Sequence, residues 1–204
     1  MKIICIGRNY YEHAKEMDAK PEKDPIFFLK ADSCLQRDNR IFFIPEFSNN
    51  LHYELEIVLR ICRVGKGIAE EFAHRYYDAV TVGIDFTARD LQAQCKAKGL
   101  PWEISKSFDQ SARIGSWISA SEFVNPGTDI PFWLKQNGTI VQSATSATMI
   151  FNFDVLIAYL SKFMTLKMGD LIFTGTPAGV GPVSNGDSLE AGIGDKSLLK
   201  FSVR

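Results

Sequence analysis

The sequence carries no large charge excess, few cysteines and no long apolar run, and each shortage excludes a class of function. Its 204 residues have a formal net charge of -1. That removes the general electrostatic argument for nucleic acid or an acidic membrane surface as a partner. No apolar stretch reaches the length of a membrane span. The opening residues, Met1 to Arg8, turn polar too soon for a secretory signal. The four cysteines, Cys5, Cys34, Cys62 and Cys95, are scattered and form no Cys-x-x-Cys pair. They argue against structural zinc and fit a reducing compartment, so the expectation is a cytoplasmic protein. No internal repeat or low-complexity segment breaks the chain. With 46% hydrophobic and 23% charged residues, it reads as one folded domain spanning 1–204.

What is present centres on His52-Tyr53-Glu54-Leu55-Glu56-Ile57-Val58-Leu59-Arg60. Its period-two alternation predicts a strand, extending to about Val64. Tyr53, Leu55, Ile57 and Leu59 share one face. Glu54 and Glu56 share the other, roughly 7 Å apart along the strand. Two carboxylates held that close repel unless a cation lies between them. A hard, oxygen-seeking divalent ion such as Mg²⁺ suits them. A solvated strand face with two ordinary glutamates would show the same pattern.

The other segments arrange themselves around this strand. Lys2–Ile6 predicts a buried strand. Asn9 and Glu12 make a capping-box-like start to a helix that places His13 and Glu16 on one face. A carboxylate beside an imidazole orients it as a general base, although an exposed ion pair has the same spacing. Pro21–Pro25 reads as a connector. Ile26–Leu29 and Ile41–Ile44 read as strands, with a turn at Asp38-Asn39-Arg40. Ala69–Ala79 predicts an amphipathic helix, with His74 on its surface, and Val80–Ile84 a buried strand ending at Asp85. Thr87-Ala88-Arg89-Asp90 resembles a capping box opening a helix to Lys98, stopped by Gly99. Arg89 and Gln92 share a face of it.

Lys106 lies in a strand-like stretch, Ile104–Asp109. Trp117-Ile118 and Phe132–Lys135 predict further strands, and Asn137-Gly138 a hairpin turn. Met149–Phe163 is the most hydrophobic helix candidate, with Leu156, Leu160 and Phe163 on one face. Gly169–Pro182 runs from an apolar strand into a glycine- and proline-rich loop whose backbone amides can approach a ligand closely. Asp187–Arg204 predicts a closing strand pair. Strands outnumber helices without alternating regularly with them, which predicts a β-rich mixed α+β fold and not a doubly wound parallel sheet.

Five motifs occur in one order: Gly7-Arg8-Asn9-Tyr10 with His13 and Glu16, Glu54-Leu55-Glu56, Gly83-Ile84-Asp85-Phe86-Thr87-Ala88-Arg89-Asp90, Lys106-Ser107-Phe108-Asp109, and Thr174-Gly175-Thr176-Pro177-Ala178-Gly179-Val180-Gly181. In these the chain resembles the fumarylacetoacetate hydrolase family, specifically its short acylpyruvase-like branch. The resemblance implies a β-roll with a few short helices, a homodimer, and one divalent metal per subunit, Mg²⁺ with Mn²⁺ or Ca²⁺ as substitutes. It implies Glu54, Glu56 and Asp85 as metal ligands, and His13 and Glu16 as the water-activating dyad on a mobile lid over residues of about 8–24. Lys106 would stabilise developing negative charge. Arg89, Gln92 and Thr176 would hold a small 2-oxo acid, with Lys30 near the site.

The implied activity is hydrolysis of a carbon–carbon bond in acylpyruvate-type 2,4-dioxo acids. Alternatives on the same residues are oxaloacetate decarboxylation, isomerisation or hydration of 2-oxo acids, and a non-catalytic metal-dependent binding role. Ala31, Arg113, Ser116, Ala144 and Ala147 depart from the family pattern, which bears on pocket shape.

Overall fold

The computed structural model describes residues 1–16, 23–37, 40–122 and 129–204. Along the chain these form β1 (Ile3–Gly7), α1 (Tyr11–Glu16), β2 (Ile26–Lys30), β3 (Leu35–Gln36), β4 (Leu51–Tyr53), β5 (Leu55–Ile61), β6 (Tyr77–Asp85) and β7 (Thr87–Ala88). Then follow α2 (Arg89–Lys98), α3 (Glu103–Lys106), β8 (Ala112–Ile114), β9 (Ile118–Ser119), β10 (Pro131–Gln136) and β11 (Thr139–Thr145). The chain closes with α4 (Phe153–Phe163), β12 (Leu171–Phe173), β13 (Gly181–Pro182), β14 (Ser188–Ile193) and β15 (Lys196–Ser202). The fold is mixed α+β and rich in strand, as the pattern predicts.

One sheet carries β2-β1-β12-β5-β6-β8-β3 in spatial order, with β9 paired to β6. A second runs β11-β10-β14-β15, and a small third runs β13-β4-β7. Most pairings are antiparallel; β1 with β12 and β3 with β8 are parallel. The β10–β11 hairpin turns at Asn137 (φ 53°) and Gly138 (φ 82°), two left-handed residues in a row, as an Asn-Gly turn requires.

Strand β5 is buried along nearly its whole length. Leu55, Ile57 and Leu59 enter the main core with Phe86, Phe132, Leu156 and Phe201. Val58, on the opposite face, packs with Ile3, Cys5 and Phe173 in a smaller cluster. The two faces thus serve two cores, and Glu54 and Glu56 belong to the second.

Several predicted boundaries move, each for a tertiary reason. The strand expected over His52–Arg60 is broken at Glu54. β4 pairs with β13 and β7 in one sheet, while β5 pairs with β6 and β12 in another. Its end comes at Ile61, not Val64. The helix expected over Ala69–Ala79 is a 3-10 turn at Glu70–Arg75, because Tyr77–Ala79 are drawn into the β5–β6 ladder. Ile41–Ile44 contributes only a bridge between Phe42 and Val203. Phe42 is instead buried by stacking on Phe86, with ring centroids 4.0 Å apart.

Lys106 ends a short helix and not a strand. α4 begins at Phe153, capped by the Asn152 side chain, and leaves Phe163 exposed while burying Leu156 and Leu160. Neither predicted capping box forms. Thr87 sits in β7 and Ala88 is the cap residue of α2. The Asn9 side chain turns inward, away from α1. Residues 38 and 39 of the predicted turn, residues 21 and 22 of the connector and residues 17–22 of the lid segment fall outside the described residues.

Candidate active site

Strand register assembles the acidic cluster. Leu55 pairs with Ile84 and Glu56 with Gly83, so Glu54 falls opposite Asp85, whose amide donates 2.9 Å to the Glu54 carbonyl. Alternation then sends all three carboxylates to one face. Gly83 makes room beneath them: a Cβ there would lie 2.7 Å from both Phe173 and Val58 and 2.9 Å from the Arg113 carbonyl. Glu54, Glu56 and Asp85 are buried, and each offers a carboxylate oxygen within 4.8 Å of the others. Carboxylates gathered this closely can converge on one octahedral Mg²⁺, whose bonds to oxygen are near 2.1 Å. An all-oxygen donor set also suits a hard cation over zinc.

Three cations surround these acids. Lys106 Nζ donates to Glu54 Oε2 and Asp85 Oδ2, both at 2.8 Å. Arg89 lies 2.6 Å from Glu54 Oε1. Lys30 Nζ lies 2.7 Å from Asp85 Oδ1, an oxygen that makes no hydrogen bond of good geometry. Burial pushes the Glu54 carboxyl up, but Lys106, Arg89 and His13 outweigh it and hold the group well below the usual carboxylate range. Burial lowers Lys106 in turn, and Asp85 and Glu54 more than reverse it.

Glu56 differs from its neighbours. It accepts a 2.7 Å bond from the Gly175 amide. Burial, Asp85 and Glu54 push its pKa well above the ordinary value. The cluster is therefore short of positive charge on the Glu56 side, where a bound divalent cation would supply it.

His13 and Glu16 meet at the end of α1. His13 Nδ1 lies 3.0 Å from Glu16 Oε2, and the Gly179 amide donates to Glu16 Oε1 at 3.2 Å. With Nδ1 engaged by a carboxylate, Nε2 is left as the basic nitrogen. Asn9 locks the base of this segment: its amide nitrogen donates to Phe151 and Thr174 carbonyls at 2.9 and 2.8 Å, and its oxygen accepts from the Phe151 amide at 2.8 Å. Gly175 (φ 101°) passes so close that a Cβ would meet Asn9 Cβ at 2.7 Å.

His13, Glu54, Arg89, Gln92, Lys106 and Thr176 line one narrow cleft with about 40 Å³ of free space. Arg89 donates to Gln92 Oε1 at 2.9 Å, fixing both on one side of α2. Lys30 was expected near substrate, yet its side chain is fully enclosed beneath the cluster. Its ammonium bonds Ser111 Oγ at 2.9 Å and the Lys106 carbonyl, so it supports Asp85 and α3 from below.

Gln142, which the sequence reading did not single out, reaches across from β11. It accepts from the Leu55 amide at 2.9 Å and donates to Thr176 Oγ1 and the Pro177 carbonyl, each at 2.9 Å. It thereby ties the residue between the two glutamates to the glycine-rich loop. The only local signal for it is an amide at an inward-facing strand position.

The family model for the fumarylacetoacetate (FAA) hydrolase C-terminal domain matches residues 2–204. The chain is 38% identical over 201 residues to the mitochondrial oxaloacetate tautomerase FAHD1 of Bos taurus, covering 98% of this chain and 90% of the relative. Among solved structures it is similar to fumarylpyruvate hydrolase from Pseudomonas aeruginosa in complex with Mn²⁺ and pyruvate. The TM-score is 0.93 at 36% identity, over 100% of this chain and 89% of that one. It is also similar to 2-hydroxyhepta-2,4-diene-1,7-dioate isomerase from Mycobacterium marinum, with a TM-score of 0.85 at 33% identity, over 99% of this chain and 73% of that one. With the match running along the whole chain and the same fold in these neighbours, this protein belongs to the fumarylacetoacetate hydrolase family.

Proposed function

We propose that the protein hydrolyses the carbon–carbon bond of acylpyruvate-type 2,4-dioxo acids, giving pyruvate and a carboxylic acid. The observation that carries this reading is the pairing of buried His13 with Glu16, His13 lining the same cleft as Glu54, Arg89 and Lys106. Water activation is what hydrolysis requires and decarboxylation does not. The Mn²⁺ and pyruvate in the Pseudomonas aeruginosa hydrolase support the choice of metal and product class.

Glu54, Glu56 and Asp85 would hold the cation, Mg²⁺ or Mn²⁺. When bound, the metal supplies Lewis-acid polarisation of the 2-oxo acid oxygens and a template for their orientation. Arg89 and the Thr176 hydroxyl orient the carboxylate end of the substrate. His13 Nε2 takes a proton from water as its oxygen attacks the distal carbonyl. The bond between that carbon and the adjacent methylene breaks, and its electron pair enters the pyruvate enolate. The Lys106 ammonium stabilises the negative charge. Protonated His13 then returns the proton to the enolate carbon, which restores the starting state. On this reading residues 1–204 act as one catalytic domain on small anions, as a homodimer.

A second reading is favoured by several curated relatives that are named oxaloacetate tautomerases, those of Bos taurus and Arabidopsis thaliana among them. The same dyad can shuttle a proton between the carbon and oxygen of an enolisable 2-oxo acid without attacking water.

Purified protein incubated with acetylpyruvate and Mg²⁺ should consume the enol absorbance, and a chelator should stop it. His13→Ala should abolish this hydrolysis while sparing much of any oxaloacetate decarboxylation. No turnover of acetylpyruvate or fumarylpyruvate by the metal-loaded protein, with rapid oxaloacetate tautomerisation, would replace the first reading by the second.

A further inference from the structure

The lining of the cleft is unevenly charged. Four cationic side chains, Arg8, Arg89, Lys96 and Lys106, border it, against the single carboxylate of Glu54. Arg89 and Lys106 are already engaged by that carboxylate, and Lys106 also by Asp85. Lys96 has no carboxylate within ion-pair distance among the described residues. Lys96 is exposed; partial burial, Arg8 and Arg89 work to lower its pKa, and Glu54 works the other way.

Its position is set by helix geometry. Arg89, Gln92, Ala93 and Lys96 recur at spacings of three and four, which puts them on one stripe of α2. This stripe faces both the inner cleft and the wider pocket outside it, bordered by Glu16, His52 and Val180. The rise from residue 89 to residue 96 is about 10 Å along the axis. Helical side chains lean toward the N-terminus, so the lysine stem projects back toward Gln92 and the cluster. Its ammonium lies 5.9 Å from the ring centroid of Trp102, another wall of the inner cleft. Arg89 and Lys96 thus line one cleft, so a substrate whose 2-oxo acid end sits at Arg89 has Lys96 on the same wall.

We propose that Lys96 is a specificity-determining residue that receives a second, distal carboxylate, making the site selective for 2-oxo dicarboxylates over acylpyruvates with an uncharged arm. This rests on the 2-oxo acid reading given under Proposed function. Arg89, Gln92 and Thr176 handle the end common to both classes; Lys96 reads the end that differs.

The test compares wild type, Lys96→Met and Lys96→Arg on fumarylpyruvate, which carries the distal carboxylate, and acetylpyruvate, which lacks it. Lys96→Met retains the apolar stem. The ratio of kcat/KM between the two substrates should fall by about tenfold to a hundredfold, the usual scale for losing a charged hydrogen bond. Lys96→Arg should restore most of it. A parallel calorimetric titration of Mn²⁺-loaded protein uses 2-oxoglutarate and 2-oxopentanoate, which share a five-carbon chain and differ in the distal carboxylate. Wild type should prefer 2-oxoglutarate, and Lys96→Met should lose the preference.

An unchanged ratio, or an equal loss on both substrates with no change in binding preference, would reduce Lys96 to a solvated surface lysine and overturn the proposal. If wild type turns over neither substrate, the hydrolytic reading fails separately, and the titration still decides the role of Lys96.

Discussion

Glu54 and Asp85, 31 positions apart in sequence, are joined twice: the Asp85 amide donates to the Glu54 carbonyl at 2.9 Å, and one lysine ammonium bonds both carboxylates at 2.8 Å. The backbone link is a rung of the β5–β6 ladder, so the carboxylate spacing inherits the rigidity of the sheet. The lysine comes from a different element, α3, and lines the cleft together with Glu54.

Removing that lysine should expose how much the acids depend on it. Lys106→Met leaves two buried carboxylates without their shared donor, a change that typically costs about 3–5 kcal/mol. Denaturant unfolding with a chelator present should show this loss, and added Mn²⁺ should recover part of it. Turnover should fall by about a hundredfold or more even with metal bound, because the stabilising charge is gone. A variant of undiminished activity would remove Lys106 from the proposed chemistry.

Metal dependence should be visible without any substrate. Ligand binding to the folded state alone stabilises by about 2.7 kcal/mol at a hundred times Kd. Wild-type protein should melt at a higher temperature as Mg²⁺ or Mn²⁺ is added. Glu56→Gln, which keeps the shape but removes one ligand charge, should melt independently of metal. Thermal scans of both proteins across a metal series check this.

The raised pKa of Glu56 gives a pH signature. The folded metal-free protein holds this proton more tightly than the unfolded chain does. Its contribution to stability is therefore fully present below the ordinary glutamate range and is lost as pH rises through the elevated folded-state value. Metal binding must displace that proton, so apparent metal affinity should climb over the same interval, with proton release. Calorimetry in buffers of different ionisation enthalpy measures the release, and Glu56→Gln should abolish this component.

Gln142 offers a test of loop positioning at a distance from the reacting atoms. Gln142→Leu leaves the Leu55 amide, and the loop groups it holds, without partners, at a cost of about 1–3 kcal/mol. Since Thr176 orients substrate on the proposed mechanism, KM should rise more than kcat falls. Steady-state kinetics beside an unfolding curve separates this from simple destabilisation, which would lower the amount of active enzyme and leave KM alone.

Much of the site was legible from the chain alone, and the reason is periodicity. Glu54 and Glu56 had to share a face once the stretch was extended. His13 and Glu16 had to share one once the stretch was helical, and Asn137-Gly138 had to turn. The ordered motifs identified the family and, with it, Asp85. Each of these rests on interactions within a few residues or on a pattern written along the chain.

The tertiary structure decided what depends on distant partners. The break at Glu54 exists because β4 and β5 find their ladders in different sheets. Tyr77–Ala79 leave a helical pattern because pairing with β5 satisfies their backbone and buries Ala79. Lys30 lies under the cluster instead of in the cleft because buried Asp85 and the Lys106 carbonyl draw in its ammonium. Gln142 binds the glutamate strand to the glycine-rich loop only because the two sheets bring residues 55, 142 and 176 together. Local sequence sets which way a side chain points within its own element; strand register, long-range charge compensation and sheet packing set what it meets there.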